Sequence, residues 1–495
     1  MMSAKREPSL LEAFIPIIFL IIALSLNVSI FGDEALSGSN QIILILSGAV
    51  AALMAGRLGY KWRHIEKGIV KTISSAMASI LILLLIGSLA GTWLLSGVVP
   101  AMIYYGLKIL NPTIFLFAAC VVCAVVSIAT GSSWTTAATV GIALMGIGQA
   151  LGISSGLIAG AILSGAYFGD KMSPLSDTTN LAPAMAGTDL FTHIRYMMIT
   201  TVPSISITLV LFLIIGFSQG ASGSIDQTEE ILAALDSSFH ISGWLFIVPI
   251  VVVVLIVKKV PALPALLVGT LLGAIFAMIF QRDLVMEVGQ GASVSGMFFE
   301  DWQSAFPIFT GLFTGTIQSL FGDVNIHTSN ELVNELLGSG GMYGMLGTIW
   351  LILSAMIFGG VMECSGMLRK IASAIINLVN STGALIASTA GTCFFFNVTA
   401  SDQYLAIVVP GRMYADIYKK KGLAPENLSR TLEDSGTVTS VLVPWNTCGA
   451  YHSQVLGVST FAFAPYCFFN IISPLMTILI GYLGFKIKKL TTTDS

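Results

Sequence analysis

Apolar runs of about 20 residues, long enough to cross a hydrocarbon layer, recur along nearly the whole chain between short polar stretches. The first, Leu11–Phe31, follows the polar amino-terminal stretch Met1–Glu12 and is too long for the core of a cleaved leader. The pattern predicts an all-α polytopic membrane protein. Sidedness follows from the basic residues. Arg57, Lys61, Arg63, Lys67 and Lys71 crowd one predicted loop, whereas 32–41 and 218–241 hold neither Lys nor Arg. Positive charge marks the cytoplasmic side, so the first loop is inside and the other two are outside. Lys258, Lys259, Lys486, Lys488 and Lys489 are also inside, which puts both termini in the cytoplasm.

Sliding the sequence on itself at one offset pairs Gly91 with Gly360, Ser96 with Ser365, Gly97 with Gly366, Asn111 with Asn380, and Thr113 with Thr382. The same offset pairs Thr130 with Thr399 and Ser132 with Ser401. The matches fall on Gly, Ser, Thr and Asn, not on common aliphatic residues, and indicate an internal repeat. The first half begins inside and ends outside; the second does the reverse. The expected organisation is a first inverted repeat over 1–217 and an external acidic linker over 218–241. A second repeat follows over 242–495, with an insertion around 298–341. Inverted repeats with discontinuous helices at mid-membrane are a usual architecture of secondary transporters.

Each half carries two polar interruptions. Thr130-Gly131-Ser132-Ser133 and Asn397-Val398-Thr399-Ala400-Ser401-Asp402 break runs whose two ends are expected on one face, which predicts a pair of re-entrant helical hairpins. Gly169–Asn180 and the pair Glu433–Gly436 with Pro444–Gly449 contain Gly and Pro, which predict broken transmembrane helices. Unwound backbone at membrane depth is tolerated where it is buried in protein or lines a cavity.

The chemistry of these breaks is that of hard oxygen. Carbonyls, hydroxyls and carboxylates suit an alkali cation and supply too little sulfur or imidazole for a transition metal. The ion or substrate candidates are Thr130, Ser132, Ser133, Asp170, Asp177, Thr178, Asn180, Asn397, Thr399, Ser401, Asp402, Glu433, Asp434, Asn446 and Thr447. A carboxylate inside a membrane is a functional hypothesis by default. Asp177 is the first choice for a direct Na⁺ ligand, with Thr130, Ser132 and Asn180, because its mirror position holds the neutral Asn446. Asp177, Asp170 and Asp402 are the proton-carrying candidates, since competition of Na⁺ and H⁺ for one carboxylate gives antiport without a separate gate. Plainer readings stand beside these. Asp170 could pair with Lys171 to close a helix end, Glu433 and Asp434 could form a solvated turn, and the hydroxyls could bond back to their own helices.

Composition narrows the class. Hydrophobic residues make up 55% and charged residues 10%, with a mean hydropathy of +0.88, so a soluble fold is excluded. No glycine is followed directly by lysine, so the chain has no phosphate-binding P-loop and no nucleotide drive of its own. Cys120 and Cys123 lie in an apolar run without further ligands and read as packing. The five histidines have no metal spacing; only His452, beside the second break, is worth testing. No cofactor is expected, and no basic patch points to nucleic acid.

The run G-D-K-M-S-P-L-S-D-T-T-N at Gly169–Asn180, with T-G-S-S-W-T-T at Thr130–Thr136, resembles the signature of the NhaC family of sodium/proton antiporters. So do E-D-S-G-T at Glu433–Thr437 and P-W-N-T at Pro444–Thr447. The resemblance implies the ion-transporter superfamily fold, with a scaffold and a mobile transport subdomain, elevator-like movement, and a homodimer. The resulting expectation is Na⁺/H⁺ exchange across a bacterial cytoplasmic membrane, with the lipid bilayer, Na⁺ and H⁺ as partners. Its rival is sodium-coupled transport or exchange of a small organic anion or amino acid, of malate/lactate type, with Arg412 and Arg195 facing a carboxylate. An ion channel is the third reading.

Overall fold

A computed structural model describes residues 6–31, 38–109, 111–219, 225–258, 260–291, 303–328, 330, 333–334, 337–376 and 381–490. Among these, seven helices are long and apolar enough to cross a membrane, and two sharply bent helix pairs would bring the number to nine. The expected basic loop is largely helical, because Trp62–Ser75 forms a helix and only 58–61 turns. Its Arg63, Lys67 and Lys71 remain exposed on that helix. The expected acidic linker is also structured. Ile225–Ser238 is a helix that buries Ile231, Ala234 and Leu235 against Val98–Ile109, while 220–224 lie outside the described residues.

Corresponding elements recur in the two halves with matching ends. Met77–Leu95 and Leu346–Cys364 are both 19 residues long. Gly97 and Gly366 follow them with φ of 80° and 77°. Beyond the hairpin tips the correspondence moves by one residue, because the second tip holds an extra residue, Ala400, before its left-handed position. Gly131 (φ 70°) therefore matches Ser401 (φ 58°), and the helix caps Ser132 and Asp402 match each other. Asp177–Ala186 then matches Thr447–Leu456, each ended by a left-handed glycine, Gly187 or Gly457. Ser176 is thus the counterpart of Asn446, and Asp177 that of Thr447, which corrects the alignment of Asp177 with Asn446.

Both predicted hairpins fold back on themselves. Pro112–Thr130 starts from an Asn111 cap that accepts from the Thr113 amide at 2.9 Å, with proline where no N–H is needed. It ends at Gly131, and the chain returns through Ser133–Thr136, a π-helical turn at Ala137–Gly141, and Ile142–Ala150. A Cβ on Gly148 would lie 2.6 Å from Phe115, so the return arm has reached the end from which the hairpin set out. In the second hairpin, Thr382–Thr399 and Gln403–Lys420 are tied by the Tyr414 hydroxyl to Ser388 (2.6 Å) and Thr392 (2.9 Å), and by Tyr418 to Thr389 (3.1 Å). Asn380, the expected start of this hairpin, lies outside the described residues.

Small residues set the tightest packing. Ser155–Met172 lies against Pro112–Thr130 so closely that a Cβ on Gly165 would sit 2.0 Å from the Cys120 carbonyl oxygen, and one on Gly169 2.5 Å from that of Ala124. The Ser127 hydroxyl donates to the Ala166 carbonyl across the same seam at 2.6 Å. In the insertion, Pro307–Phe321 packs on Arg282–Gly291 in the same way, with a Cβ on Gly315 1.9 Å from the Val285 oxygen. A two-stranded antiparallel ribbon, Val324–Asn325 with Gly338–Ser339, follows, and Ser88 of Met77–Leu95 donates to Leu320 at 2.8 Å. Residues 298–302 of the insertion lie outside the described residues.

Candidate ion-binding site

At the first tip, Ser132 caps the return arm, accepting from the Thr135 amide and hydroxyl, both at 3.1 Å. At the second tip, Asp402 does the same for Leu405, at 2.9 Å. Ser401 sits in the left-handed region with a fully buried hydroxyl that has no hydrogen-bond partner among the described residues. Thr399 is a case of back-bonding, donating to the Phe395 carbonyl at 2.7 Å. Thr130 makes only long contacts, 3.4–3.5 Å to Thr136, Ser127 and Ser132.

Each tip rests on the break of its own half. A Cβ on Gly131 would lie 2.6 Å from Leu175, and Ser173 donates to the Ile128 carbonyl at 2.8 Å. At the second, the Thr447 amide donates to the Ser401 carbonyl at 3.0 Å and the Trp445 indole to Val398 at 2.7 Å. Asn446 donates to the backbone oxygen of Asn397 at 3.0 Å, and Asn397 donates in turn to Gly436 at 2.8 Å. These two asparagines stitch the tip to the break. Asn180 is exposed and does similar work in the first half, its amide donating to Pro174 (2.9 Å) and Ser176 (2.7 Å).

The first tip, both breaks and the start of the second hairpin's return arm meet at one cavity of about 590 Å³. Thr130, Ser132, Asp170, Asp177, Thr178 and Thr447 line it, together with Trp134, Ser176, Gln403 and Tyr404; the remaining sequence candidates do not. Its far wall comes from Ala78, Ile82, Ile256 and Val260–Leu263. No lysine or arginine lines it among the described residues. Asp177, at the first position of its helix, is exposed and has the Tyr404 hydroxyl at 3.5 Å. Asp170 is buried and held, its Oδ2 accepting from the Ser133 amide (3.0 Å) and hydroxyl (2.6 Å).

A second polar layer lies behind the cavity. Thr178 donates to Glu433 Oε1 at 3.0 Å. Glu433 and Asp434 are fully buried, so the solvated-turn reading does not hold. Lys171 does not pair with its neighbour Asp170; its ammonium meets Asp434 from the other half of the chain and donates to Ser473 at 3.1 Å. Lys171, Ser176, Gln403, Tyr404 and Ser473 were missed by the sequence reading. Lys171 had a signal, a lysine inside an apolar run with no compensating charge but its neighbour. Trp134 joins the halves by stacking on Tyr451 at 3.9 Å, with the Tyr451 hydroxyl donating to its carbonyl at 2.9 Å. His452 is buried among the Tyr167 and Tyr451 rings without a polar partner among the described residues. Arg195 and Arg412 are exposed and line no part of this cavity.

Residues 165–290 and 284–485 match the profile of the Na⁺/H⁺ antiporter family. The chain is 39% identical over 449 residues to the Na⁺/H⁺ antiporter NhaC of Alkalihalophilus pseudofirmus, covering 91% of each. It is 36% identical over 484 residues to the malate-2H⁺/Na⁺-lactate antiporter of Bacillus subtilis, covering 98% of this chain and 96% of the relative. It is also 34% identical over 486 residues to the arginine/ornithine antiporter ArcD of Halobacterium salinarum, covering 97% and 93%.

Proposed function

Because the chain belongs to the Na⁺/H⁺ antiporter family, we propose that it exchanges Na⁺ for H⁺ at the cavity between its hairpin tips. The observation that carries this reading is a cavity holding two carboxylates and a ring of hydroxyls with no basic side chain in its described wall. Asp177, free of strong partners, captures Na⁺ with help from the Thr130 and Ser132 hydroxyls. Asn180 supports the break and not the ion, because both its amide bonds go to backbone carbonyls. Asp170, fixed by Ser133 and opening on the same cavity, shares with Asp177 the task of carrying either the cation or the proton. Asp402 carries the capping load of the second tip and stands in reserve for the proton.

The cavity wall includes the turn beside Lys258, the side read as cytoplasmic, so the chain is drawn with its site facing inward and both termini inside. The hairpins are re-entrant in this reading, and alternating access carries tips and breaks past the scaffold in a homodimer embedded in a bacterial cytoplasmic membrane. Purified protein in liposomes with an entrapped pH dye tests the proposal. A Na⁺ pulse should move protons, and an unchanged dye signal would refute it.

A second reading draws on the size of the cavity, far larger than one dehydrated Na⁺. Two relatives are named for exchange of organic solutes, malate and lactate in one and arginine and ornithine in the other. Two carboxylates and no basic residue in the described wall suit an ammonium-bearing solute better than a dicarboxylate. Labelled arginine and malate, tested in the same liposomes, separate these cargoes.

A further inference from the structure

The layer behind the cavity contains oxygens that the exchange site does not use. Glu433 opens a π-helical turn, Glu433–Thr437, and is fully buried. Its Oε1 accepts from Thr178 at 3.0 Å, but its Oε2 has no hydrogen-bond partner among the described residues. Thr437 closes the same turn with its hydroxyl near the Glu433 carboxylate, one turn on, but not in hydrogen-bonding geometry with it. That hydroxyl is buried and likewise unpartnered. The Thr437 carbonyl is already occupied, accepting from Gln403 at 3.2 Å and Ser440 at 2.6 Å.

Charge in this layer is unbalanced. Asp170, Glu433 and Asp434 supply three buried carboxylates against two buried cations, Lys171, which is already paired with Asp434, and Arg430, whose guanidinium lies over the Tyr196 ring at 4.7 Å. A buried carboxylate oxygen and a buried hydroxyl without partners are costly to keep apart from water. A carboxylate and two hydroxyls converging from different elements are hard ligands of the kind that hold an alkali cation.

We propose that Glu433, Thr437 and Thr178 form an occluded alkali-cation site one layer inside the cavity, distinct from the capture position at Asp177. Thr178 belongs to both layers: it lines the cavity and bonds Glu433, so a cation moving inward from Asp177 passes from one ligand set to the next at its hydroxyl. The Lys171–Asp434 pair fixes the charge of the inner position without filling it. The inference rests on the reading of the chain as an alkali-cation exchanger and adds a second binding event to it.

Equilibrium binding of radiolabelled Na⁺ to purified protein at one fixed pH tests it. The unmodified protein should show two binding components. Glu433→Gln should lose one of them, and Thr437→Val, nearly isosteric, should weaken the same component by about tenfold, equivalent to ~1.4 kcal/mol. Size-exclusion profiles identify any variant that fails to fold, and either variant alone suffices. Wild-type binding in both variants overturns the inner site, as does a single component lost in Asp177→Asn and kept in Glu433→Gln. A protein that binds no Na⁺ and moves no protons on a Na⁺ pulse overturns the exchanger reading itself.

Discussion

Replacing Lys171 by Met strands Asp434 in a site where neither side chain has any exposed surface. Removing one member of a buried ion pair typically costs about 3–5 kcal/mol, because the survivor keeps its desolvation penalty and loses its counter-charge. The structure ranks the two single variants within that range. After Asp434→Asn, Lys171 keeps the Ser473 hydroxyl at 3.1 Å and gains an amide oxygen in place of the carboxylate. A loss of about 3 kcal/mol is expected. After Lys171→Met, Asp434 keeps only the Ser473 contact, at 3.4 Å, and its other oxygen has no partner among the described residues. Here the loss should approach about 5 kcal/mol. The double variant Lys171→Met/Asp434→Leu removes both charges and should return to within about 2 kcal/mol of the original, since apolar replacement of a buried pair is often nearly neutral. Equilibrium unfolding in mixed micelles of rising SDS fraction measures all four proteins. Single variants within about 1 kcal/mol of the parent, or a double variant as unstable as the two losses added, would refute this account of the core.

Three further outcomes follow from the same geometry. Asp177→Asn should abolish Na⁺-driven proton movement in liposomes while leaving unfolding nearly unchanged, because Asp177 is exposed and weakly bonded; intact exchange would move the capture site elsewhere. Gly165→Ala drives a methyl group into the Cys120 carbonyl and should destabilise by at least the ~1–3 kcal/mol of ordinary overpacking, read as earlier thermal aggregation. Asp189, just before the Leu190–Gln219 helix, accepts from the Thr192 hydroxyl and amide, and this holds its carboxyl below the usual carboxylate range. A lowered folded value means the cap is at full strength above the ordinary value of about 3.9 and weakens as pH falls through the folded one. After correction for the intrinsic pH dependence of amide exchange, protection in the first turn should fall on acidification in the parent protein and stay flat in Asp189→Asn.

The sequence made the broad plan legible because membranes restrict it. Long apolar runs, basic clusters on one side, and Gly, Ser and Thr repeated at one offset left few architectures open. The polar breaks were legible for the same reason, and Thr130, Ser132, Asp170, Asp177, Thr178 and Thr447 do meet at one cavity. Register was lost at Ala400, since one extra residue in a tip leaves no mark in composition and yet shifts every later equivalence. Asn397, Asn446 and Asn180 looked like ligands because an amide can serve an ion or a backbone carbonyl equally well; only the fold decides which. The Lys171–Asp434 pair joins residues far apart in sequence, and nothing local to either one selects its partner.

The seam between Pro112–Thr130 and Ser155–Met172 has a consequence for movement. Backbone lies on backbone at Gly165 and Gly169, with no side chain between to roll or re-pack. In the proposed alternating access, the first hairpin and the broken helix that carries Asp170 therefore travel as one carriage. Any stroke has to slip along planes made of side chains, such as the wall formed by Ala78, Ile82, Ile256 and Leu263. Substitutions that roughen that track should alter turnover and leave ion affinity alone.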